Sequence, residues 1–238
     1  MLQLIGFDGD DTLWHSEGYY RQANDAFAQI IGGYVDLADQ RVHERMLATE
    51  QRNLALFGYG AKGMALSMVE TAISLTESRV SAADIHRLIE LGKSVLQHPV
   101  ELLPDIRAAV EAVARDYDIV LITKGDLFHQ EKKVAQSGLA DLFGRIEIVS
   151  EKNPATYQRV LAEFALPPAC FAMVGNSLRS DIEPVVRLGG WGVHMPYHVT
   201  WAHELENGLG RDEPHVVTID APAAIAAAVA ELAARAAA

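Results

Sequence analysis

The pattern of hydrophobic and polar positions divides the chain into two kinds of sequence. Residues 2–7 form a short apolar run that ends at a cluster of aspartates, which predicts a buried strand. From about residue 16 to residue 97, hydrophobic residues such as Tyr20, Ala23 and Phe27 recur at helical spacing, with almost no strand pattern. We therefore predict one strand followed by a long all-helical segment, which includes one helix around residues 37–56.

After Pro99 the pattern alternates between strands and helices. Apolar runs typical of strands occur at residues 117–122, 146–150, 171–175, 191–195 and 215–219. Helical patterns lie between these runs, including one near residues 180–188. Strands separated by helices favour a parallel sheet that is covered on both faces. We predict an α/β fold, a Rossmann-like parallel sheet with helices on both faces, formed by residues 1–14 and 99–238. Residues 15–98 would form an all-helical domain inserted after the first strand.

Composition and charge restrict the classes of partner. The 238 residues are 50% hydrophobic and 22% charged, as in globular proteins. The formal net charge is −12 and there is no basic run, which argues against a general nucleic-acid binder. The single cysteine excludes an internal disulfide, and neither end has the pattern of a secretion signal or a membrane anchor. We expect a cytoplasmic monomer or homodimer without a nucleic-acid or membrane partner.

Polar residues follow four of the predicted strands at their carboxyl ends, where open α/β sheets bind ligands. Because these ends meet at one edge of a parallel sheet, we expect the polar residues to form a single site. They are Asp8, Asp10, Thr123, Lys124, Gly125, Lys152, Asn176 and Asp181.

The residue types at these strand ends indicate attack by a carboxylate on an electrophile, with help from a metal ion. Asp8 and Asp10 would share one face of an extended chain, and two close carboxylates repel unless a cation lies between them. Mg²⁺ would stabilise such a pair, and one carboxylate could then attack an electrophile while the other moves a proton. Thr123 and the amides beside Gly125 could hold anionic oxygens, and Lys152 could neutralise developing charge. By contrast, we expect Lys132 and Lys133 to lie on a solvated helix face.

Four segments of the chain, in order, resemble the motifs of the haloacid dehalogenase superfamily, specifically its phosphatase branch. The first is Asp8-Gly9-Asp10-Asp11-Thr12, directly after the first predicted strand. The second is Thr123, the third is Lys152 upstream of a helix, and the fourth is the segment from Gly175 to Asp181. The resemblance covers the whole chain, and the helical insert resembles a type C1 cap.

The resemblance implies a role for each matched residue. Asp8 would be the nucleophile and would form an aspartyl-phosphate, while Asp10 would protonate the leaving alcohol and then activate water. Mg²⁺ would be held by the Asp8 carboxylate, the main-chain carbonyl of Asp10 and the fourth motif. Thr123 and Lys152 would orient and neutralise the phosphoryl group. The expected substrate is a small soluble phosphomonoester.

Asn176 is a departure from the family pattern, which usually has aspartate at this position. An amide oxygen can ligate a hard cation but carries no charge. We expect Asn176 or Asp181 to complete the metal shell, with the other residue behind it, and we expect Mg²⁺ to bind more weakly than it would to an Asn176→Asp variant.

Other candidates for substrate contact are less specific. In the insert, Lys62 in the GYGAKG loop could bind an anionic group of the substrate, as could Arg45 or Arg52. Trp14 and His15 could line the entrance to the site, or serve packing alone. The segment Pro196–His198 and Trp201 follow a strand end, whereas we interpret His194, His198 and His203 as structural or surface residues.

Several alternative functions remain open from the sequence. A 2-haloacid dehalogenase also needs an aspartate nucleophile, but it needs no metal and its first motif usually lacks the second aspartate. A phosphonatase would use a lysine of the cap, for which Lys62 is the candidate. A phosphomutase would return phosphate to its substrate, and a non-catalytic phosphate-binding protein on this fold is the alternative outside enzymes.

Overall fold

The computed structural model describes residues 1–198, 208–210 and 213–237. The chain divides into two compact units, Met1–Glu17 with Val100–Ala238, and Gly18–Pro99. The first boundary lies slightly later than the expected end of the first segment. Ser16 and Glu17 stay with the first unit because their main-chain N–H groups donate hydrogen bonds to the Asp11 carboxylate.

A six-stranded sheet forms the centre of the first unit in the described part of the chain. Its strands are β1 Leu4–Phe7, β2 Asp118–Lys124, β3 Arg145–Val149, β4 Phe171–Gly175, β5 Trp191–His194 and β6 Val216–Thr218. The order is β3-β2-β1-β4-β5-β6, and every neighbouring pair is parallel. Leu4 is in register with Asp118 on one side and with Phe171 on the other. The predicted fold class is therefore confirmed.

The second unit is helical throughout residues 18–99, a range whose backbone is described completely. Its helices are α1 Glu17–Ile31, α2 Leu37–Gln40, α3 Val42–Phe57, α4 Ala61–Leu75 and α5 Ala82–Gln97. The sequence pattern predicted one helix over 37–56, but the chain breaks it at Arg41, whose φ of 46° is left-handed. Phe27, Met64, Met68 and Leu88 belong to the buried core of this unit.

Helices cover both faces of the sheet. They are α6 Ile106–Val113, α7 Leu127–Ser137, α8 Pro154–Glu163, α9 Glu183–Arg187 and α10 Ile225–Arg235. Side chains of β1 alternate between two cores, because Ile5 and Phe7 pack on one face while Leu4 packs on the other. A strand that is buried on both faces must be apolar at every position, which explains its continuous hydrophobic run.

The sheet topology brings the predicted site residues to one edge. β1 lies between β2 and β4, so the chain order reverses across it, and ligand sites of open α/β sheets form at this switch point. Asp8, Thr123 and Asn176 lie at or just beyond the carboxyl ends of these three strands.

None of the helices in the described ranges is long and apolar enough to cross a membrane.

Candidate active site

Asp8 lies directly after β1 and is buried. Its main-chain N–H donates to the carbonyl of Val174 on β4, so the neighbouring strand fixes its position. The Lys152 ammonium lies 2.5 Å from Oδ1 of Asp8, and the Thr12 hydroxyl donates to Oδ2 at 3.1 Å. One oxygen of Asp8 thus faces a cation and the other a neutral donor.

Lys152 connects Asp8 to Asp181, whose Oδ1 lies 2.6 Å from the same ammonium. Burial disfavours a charged lysine, but the carboxylates of Asp181 and Asp8 outweigh this cost and raise the pKa of Lys152 above its ordinary value. Burial and the nearby Asp181 carboxylate raise the pKa of Asp8 to about 7, although Lys152 acts in the opposite direction. One buried lysine therefore neutralises only part of the charge of two carboxylates.

The loop after β4 places Asn176 and Asp181 differently. Asp181 uses Oδ1 for Lys152 and Oδ2 to accept the main-chain N–H of Ser177 at 3.0 Å. Oδ1 of Asn176 instead lies 3.3 Å from the Thr12 hydroxyl, the same hydroxyl that contacts Asp8. Asn176 and Asp8 thus share one rotatable hydroxyl donor, whereas the two oxygens of Asp181 are held by an ammonium and a main-chain N–H.

Asp10 is held by a separate set of donors, which we call the Asp10 clamp: Trp14, Gln130 and Lys133. The Lys133 ammonium lies 2.8 Å from each Asp10 oxygen. Gln130 Nε2 donates to Oδ2 at 3.0 Å, and Trp14 Nε1 donates to Oδ1 at 2.5 Å. Burial would raise the pKa of Asp10, but the charge of Lys133 and these hydrogen bonds hold it below its ordinary value.

The expectation that Lys133 is solvated was wrong. Lys132 is exposed on α7, whereas Lys133 is only 8% exposed, because it lies one position further around the helix and faces the sheet edge. Gln130 and Lys133 are three residues apart and so share one face of the helix. This spacing was the available signal, but a polar face on a helix is usually read as solvated.

Thr123 and its neighbours form the third part of the site. The Thr123 side chain is fully buried, and its Oγ1 has no hydrogen-bond partner in the described part of the chain. Gly125 has a φ of 149°, and a Cβ there would lie 2.8 Å from Gln130 Nε2. Lys124 lies 3.1 Å from the Ser180 hydroxyl and 3.5 Å from a Glu151 carboxylate oxygen. Thr123 therefore keeps a donor that no other group in the described ranges uses.

Asp11 shapes the turn that follows β1. Its φ is 61°, and its carboxylate accepts the N–H groups of Ser16 and Glu17 at the start of α1. Burial and the nearby Asp10 raise the pKa of Asp11 to about 7. Asp11 thus fixes the path by which the chain leaves the sheet.

The candidate metal ligands suit a hard cation by their chemistry. The candidate donors in the first unit are carboxylate, amide and main-chain carbonyl oxygens, which Mg²⁺ prefers. Thr12 joins the Asp8 and Asn176 oxygens through one hydroxyl, which shows that these two oxygens lie close together. In the described ranges, no group of three or more His, Cys, Asp and Glu side chains could hold a metal by itself. The site therefore fits Mg²⁺ only if amide or carbonyl oxygens take part.

The remaining candidates belong to both units of the chain. Lys62 is exposed on the first turn of α4 in the helical unit. His15 lies 2.6 Å from the Tyr197 hydroxyl, and His194 Nε2 lies 3.2 Å from the main-chain oxygen of Asn176. His194 therefore supports the loop after β4, as expected of a structural residue. Trp201 and His203 lie outside the described residues.

Comparison with solved structures gives a relative of high identity. A haloacid dehalogenase-like family hydrolase from Xanthomonas campestris is 56% identical, with a TM-score of 0.91, over 99% of this chain and 98% of that chain. Comparison with curated proteins gives no significant match.

Two more distant structures share the fold. A 2-haloacid dehalogenase from Pseudomonas syringae is 19% identical, with a TM-score of 0.61 over 99% of both chains. A predicted phosphoglycolate phosphatase from Haemophilus somnus is 20% identical, with a TM-score of 0.57, over 94% of this chain and 96% of that chain. At these identities the likeness shows the fold alone, and the two proteins are described with different reactions.

Comparison of the sequence with models of protein families identifies the family. The sequence model of the haloacid dehalogenase-like hydrolases matches residues 2–189, which is most of the chain and includes all four motifs. The chain therefore belongs to the haloacid dehalogenase-like hydrolase family.

Proposed function

We propose that this hydrolase is a Mg²⁺-dependent phosphatase that hydrolyses a small phosphomonoester through an aspartyl-phosphate on Asp8. The observation that carries the proposal is the separate setting of two carboxylates two residues apart. Asp8 pairs with Lys152, and Asp10 pairs with Lys133. Transfer of a phosphoryl group to Asp8 and then to water needs both a nucleophile and a group that moves protons.

In the proposed reaction, an oxygen of Asp8 attacks phosphorus and the bond from phosphorus to the alcohol oxygen breaks. Asp10 is a carboxylate in the free protein, so it takes up the proton of the phosphate monoanion as the substrate binds and passes it to the departing alcohol. The carboxylate so formed then takes a proton from the water that hydrolyses the intermediate. Lys152 neutralises charge on the phosphoryl oxygens, and the unused Thr123 hydroxyl donates to one of them. Lys124 and the main-chain N–H of Gly125 are further candidates for holding the phosphoryl group.

Asp8, the main-chain carbonyl of Asp10 and Asn176 are the proposed Mg²⁺ ligands. When bound, the ion would offset the negative charge of Asp8 and of the phosphoryl oxygens. We assign Asp181 to positioning Lys152 rather than to the metal, because its Oδ1 faces that ammonium and its Oδ2 is held by a main-chain N–H. The donor at Asp8 Oδ2 and Asn176 Oδ1 is instead the Thr12 hydroxyl, whose proton can rotate away from a bound ion.

The helical unit, residues 18–99, is proposed to act as the cap that selects the substrate. Lys62 remains the proposed contact for an anionic part of the substrate. A small metabolite rather than a folded protein is the expected substrate, and the cytoplasm is the proposed location.

The test measures phosphate release from a panel of small phosphate esters by the purified protein and its Asp8→Asn variant, with Mg²⁺ and with EDTA. The substitution keeps the shape of the side chain and removes its nucleophilic charge. Release that needs both Asp8 and Mg²⁺ supports the proposal. If the protein releases no phosphate from a broad panel, the proposal fails.

A 2-haloacid dehalogenase is the second candidate, and Asn176 is the observation that favours it. A neutral amide in place of a carboxylate lowers the negative charge available to a metal ion, and dehalogenation needs no metal ion. Halide release from 2-chloropropionate in the presence of EDTA would support this candidate. If the protein releases neither halide nor phosphate yet binds inorganic phosphate, the non-catalytic alternative is favoured.

A further inference from the structure

We propose that Lys133 is the positioning residue for Asp10, and that it holds this carboxylate in place for proton transfer while Asp8 acts as the nucleophile. The inference rests on the proposed function, because it concerns the same site. It assigns to α7 a part in the reaction that none of the four sequence motifs contains.

The contacts of Lys133 show that it serves Asp10 rather than a ligand. An ammonium has three N–H donors. In this structure Lys133 contacts both oxygens of Asp10 at 2.8 Å and the Ser16 hydroxyl at 3.2 Å. The side chain is 8% exposed. With three contacts for three donors and little exposed surface, Lys133 has no donor left for a substrate oxygen.

The contacts of Asp10 show why one charged donor matters. The carboxylate receives neutral hydrogen bonds from Trp14 and Gln130 in addition to the ammonium of Lys133. Charge-assisted hydrogen bonds are roughly twice as strong as neutral ones. A leaving-group oxygen or a water molecule can therefore displace a neutral donor while Lys133 keeps the side chain in place.

The backbone is built to permit this arrangement. Gln130 is nine-tenths buried and also donates to the main-chain oxygen of Lys124 at 3.1 Å. A Cβ on Gly125 would lie 2.8 Å from Gln130 Nε2, so the glycine provides the space that this side chain occupies. The turn that follows β2 thus positions the main-chain N–H that is proposed to hold phosphate. The same turn contacts Gln130, which holds Asp10.

Repulsion between the carboxylates of Asp8 and Asp10 explains why Asp10 needs a cation of its own. Asp8 and Asp10 are only two residues apart, and like charges at close range repel each other. Without a cation of its own, Asp10 would lose the attraction that draws it toward α7. Removing the ammonium should therefore misplace Asp10 without altering the contacts of Asp8.

The experiment compares Lys133→Gln and Lys133→Arg with a matched control, Lys132→Gln, on the exposed face of the same helix. Two substrates are used: p-nitrophenyl phosphate, whose leaving group departs without a proton, and the alkyl phosphate that the wild type hydrolyses best. For Lys133→Gln we expect kcat on the alkyl ester to fall about 10²-fold, the lower range for loss of general acid–base catalysis, with little change in KM. Lys133→Arg should retain more activity, and Lys132→Gln should match the wild type.

The aryl ester gives a signature that a merely structural role would not produce. Lys133→Gln should release a burst of nitrophenolate of one equivalent per enzyme and then turn over slowly. Phosphorylation of Asp8 still proceeds, whereas hydrolysis of the intermediate needs Asp10. Equal losses on both esters without a burst would overturn the inference, and so would an unchanged kcat.

Circular dichroism and thermal melting check that each variant folds. If Lys133→Gln does not fold, Gln130→Met removes a neutral donor from the same clamp and should show a smaller change of the same kind. A wild type that hydrolyses no ester overturns the proposed function together with this inference. A wild type that needs Asp8 but not Lys133 overturns the inference alone.

Discussion

Gly175 has no side chain because the carboxylate of Asp181 occupies the space that a Cβ would fill. This close approach lets Asp181 reach both the Ser177 amide and the Lys152 ammonium. The glycine of the fourth motif is therefore explained by the position of the acid six residues later.

Gly175→Ala should displace Asp181 and so loosen Lys152. We expect a lower melting temperature and a loss of phosphate release of at least about tenfold, since small displacements of positioning groups cost catalysis heavily. Gly144→Ala is the control, because a Cβ there would make only an ordinary contact at 3.8 Å. If both alanine variants behave alike, the proposed coupling between Gly175 and Asp181 is wrong.

Thr123→Val should separate stability from activity. The hydroxyl is buried without a partner in the described part of the chain, so replacing it with a methyl group should raise the free energy of unfolding by about 1 kcal/mol. Phosphate release should fall, because a donor to the phosphoryl group is lost. Thr71→Val is a matched control in the helical unit, since Thr71 Oγ1 is also buried and unpartnered among the described residues. It should gain stability and keep activity, and a Thr123→Val variant with full activity would contradict the assigned role.

Lys152→Met should abolish turnover and leave Asp8 and Asp181 without their shared cation. Breaking a buried ion pair costs about 3–5 kcal/mol of stability. Unpaired buried carboxylates bind protons more tightly in the folded state than in the unfolded state, so this cost should shrink as the pH is lowered from 8 to 5. Urea unfolding at both pH values measures it, and a pH-independent cost would contradict the explanation.

Asn176→Asp should bind Mg²⁺ more tightly than the wild type, because a charged oxygen replaces a neutral one beside Asp8. Without metal the variant should be less stable, since it adds a carboxylate to a site that already has an excess of them. The measurements are the Mg²⁺ dependence of phosphate release and the rise in melting temperature on adding Mg²⁺. Tighter binding by the wild type would show that Asn176 is not a direct ligand.

Glu50 gives a pH dependence that is independent of the active site. Burial on α3 raises the pKa of Glu50 to about 7, above its ordinary value of 4.5. Between these values the folded state holds a proton that the unfolded state has lost, so this group makes stability fall as the pH rises through the window.

Glu50→Gln should remove that fall. Its melting temperature should exceed that of the wild type at pH 8 and nearly match it at pH 5. Glu44→Gln, at a largely exposed position of the same helix, is the control and should show no such difference between the two pH values. An equal shift at both pH values would show that packing, rather than charge, is responsible.

Local pattern was sufficient to predict much of the fold. The apolar runs of β2 and β4 are continuous because both faces of those strands are buried, and the predicted ranges closely match the observed ones. The points at which a helix is interrupted or changes its winding were harder to predict. Arg41 interrupts a helical pattern by a single left-handed residue, and the helix expected near 180–188 begins as a π-helical turn at Leu178–Ile182. Neither feature changes the periodicity enough to be visible in sequence.

By itself, the sequence determined which residues stand at the strand ends, because strand ends follow from hydrophobic runs and the motifs follow directly after them. Asp8, Thr123, Lys152 and Asn176 were identified in this way. Only the tertiary structure decided how their charges are shared. Lys133 is separated from Asp10 by more than a hundred residues, and its pairing depends on the rotation of α7 against the sheet. Such a pairing is set by packing between distant elements, which no local pattern along the chain records.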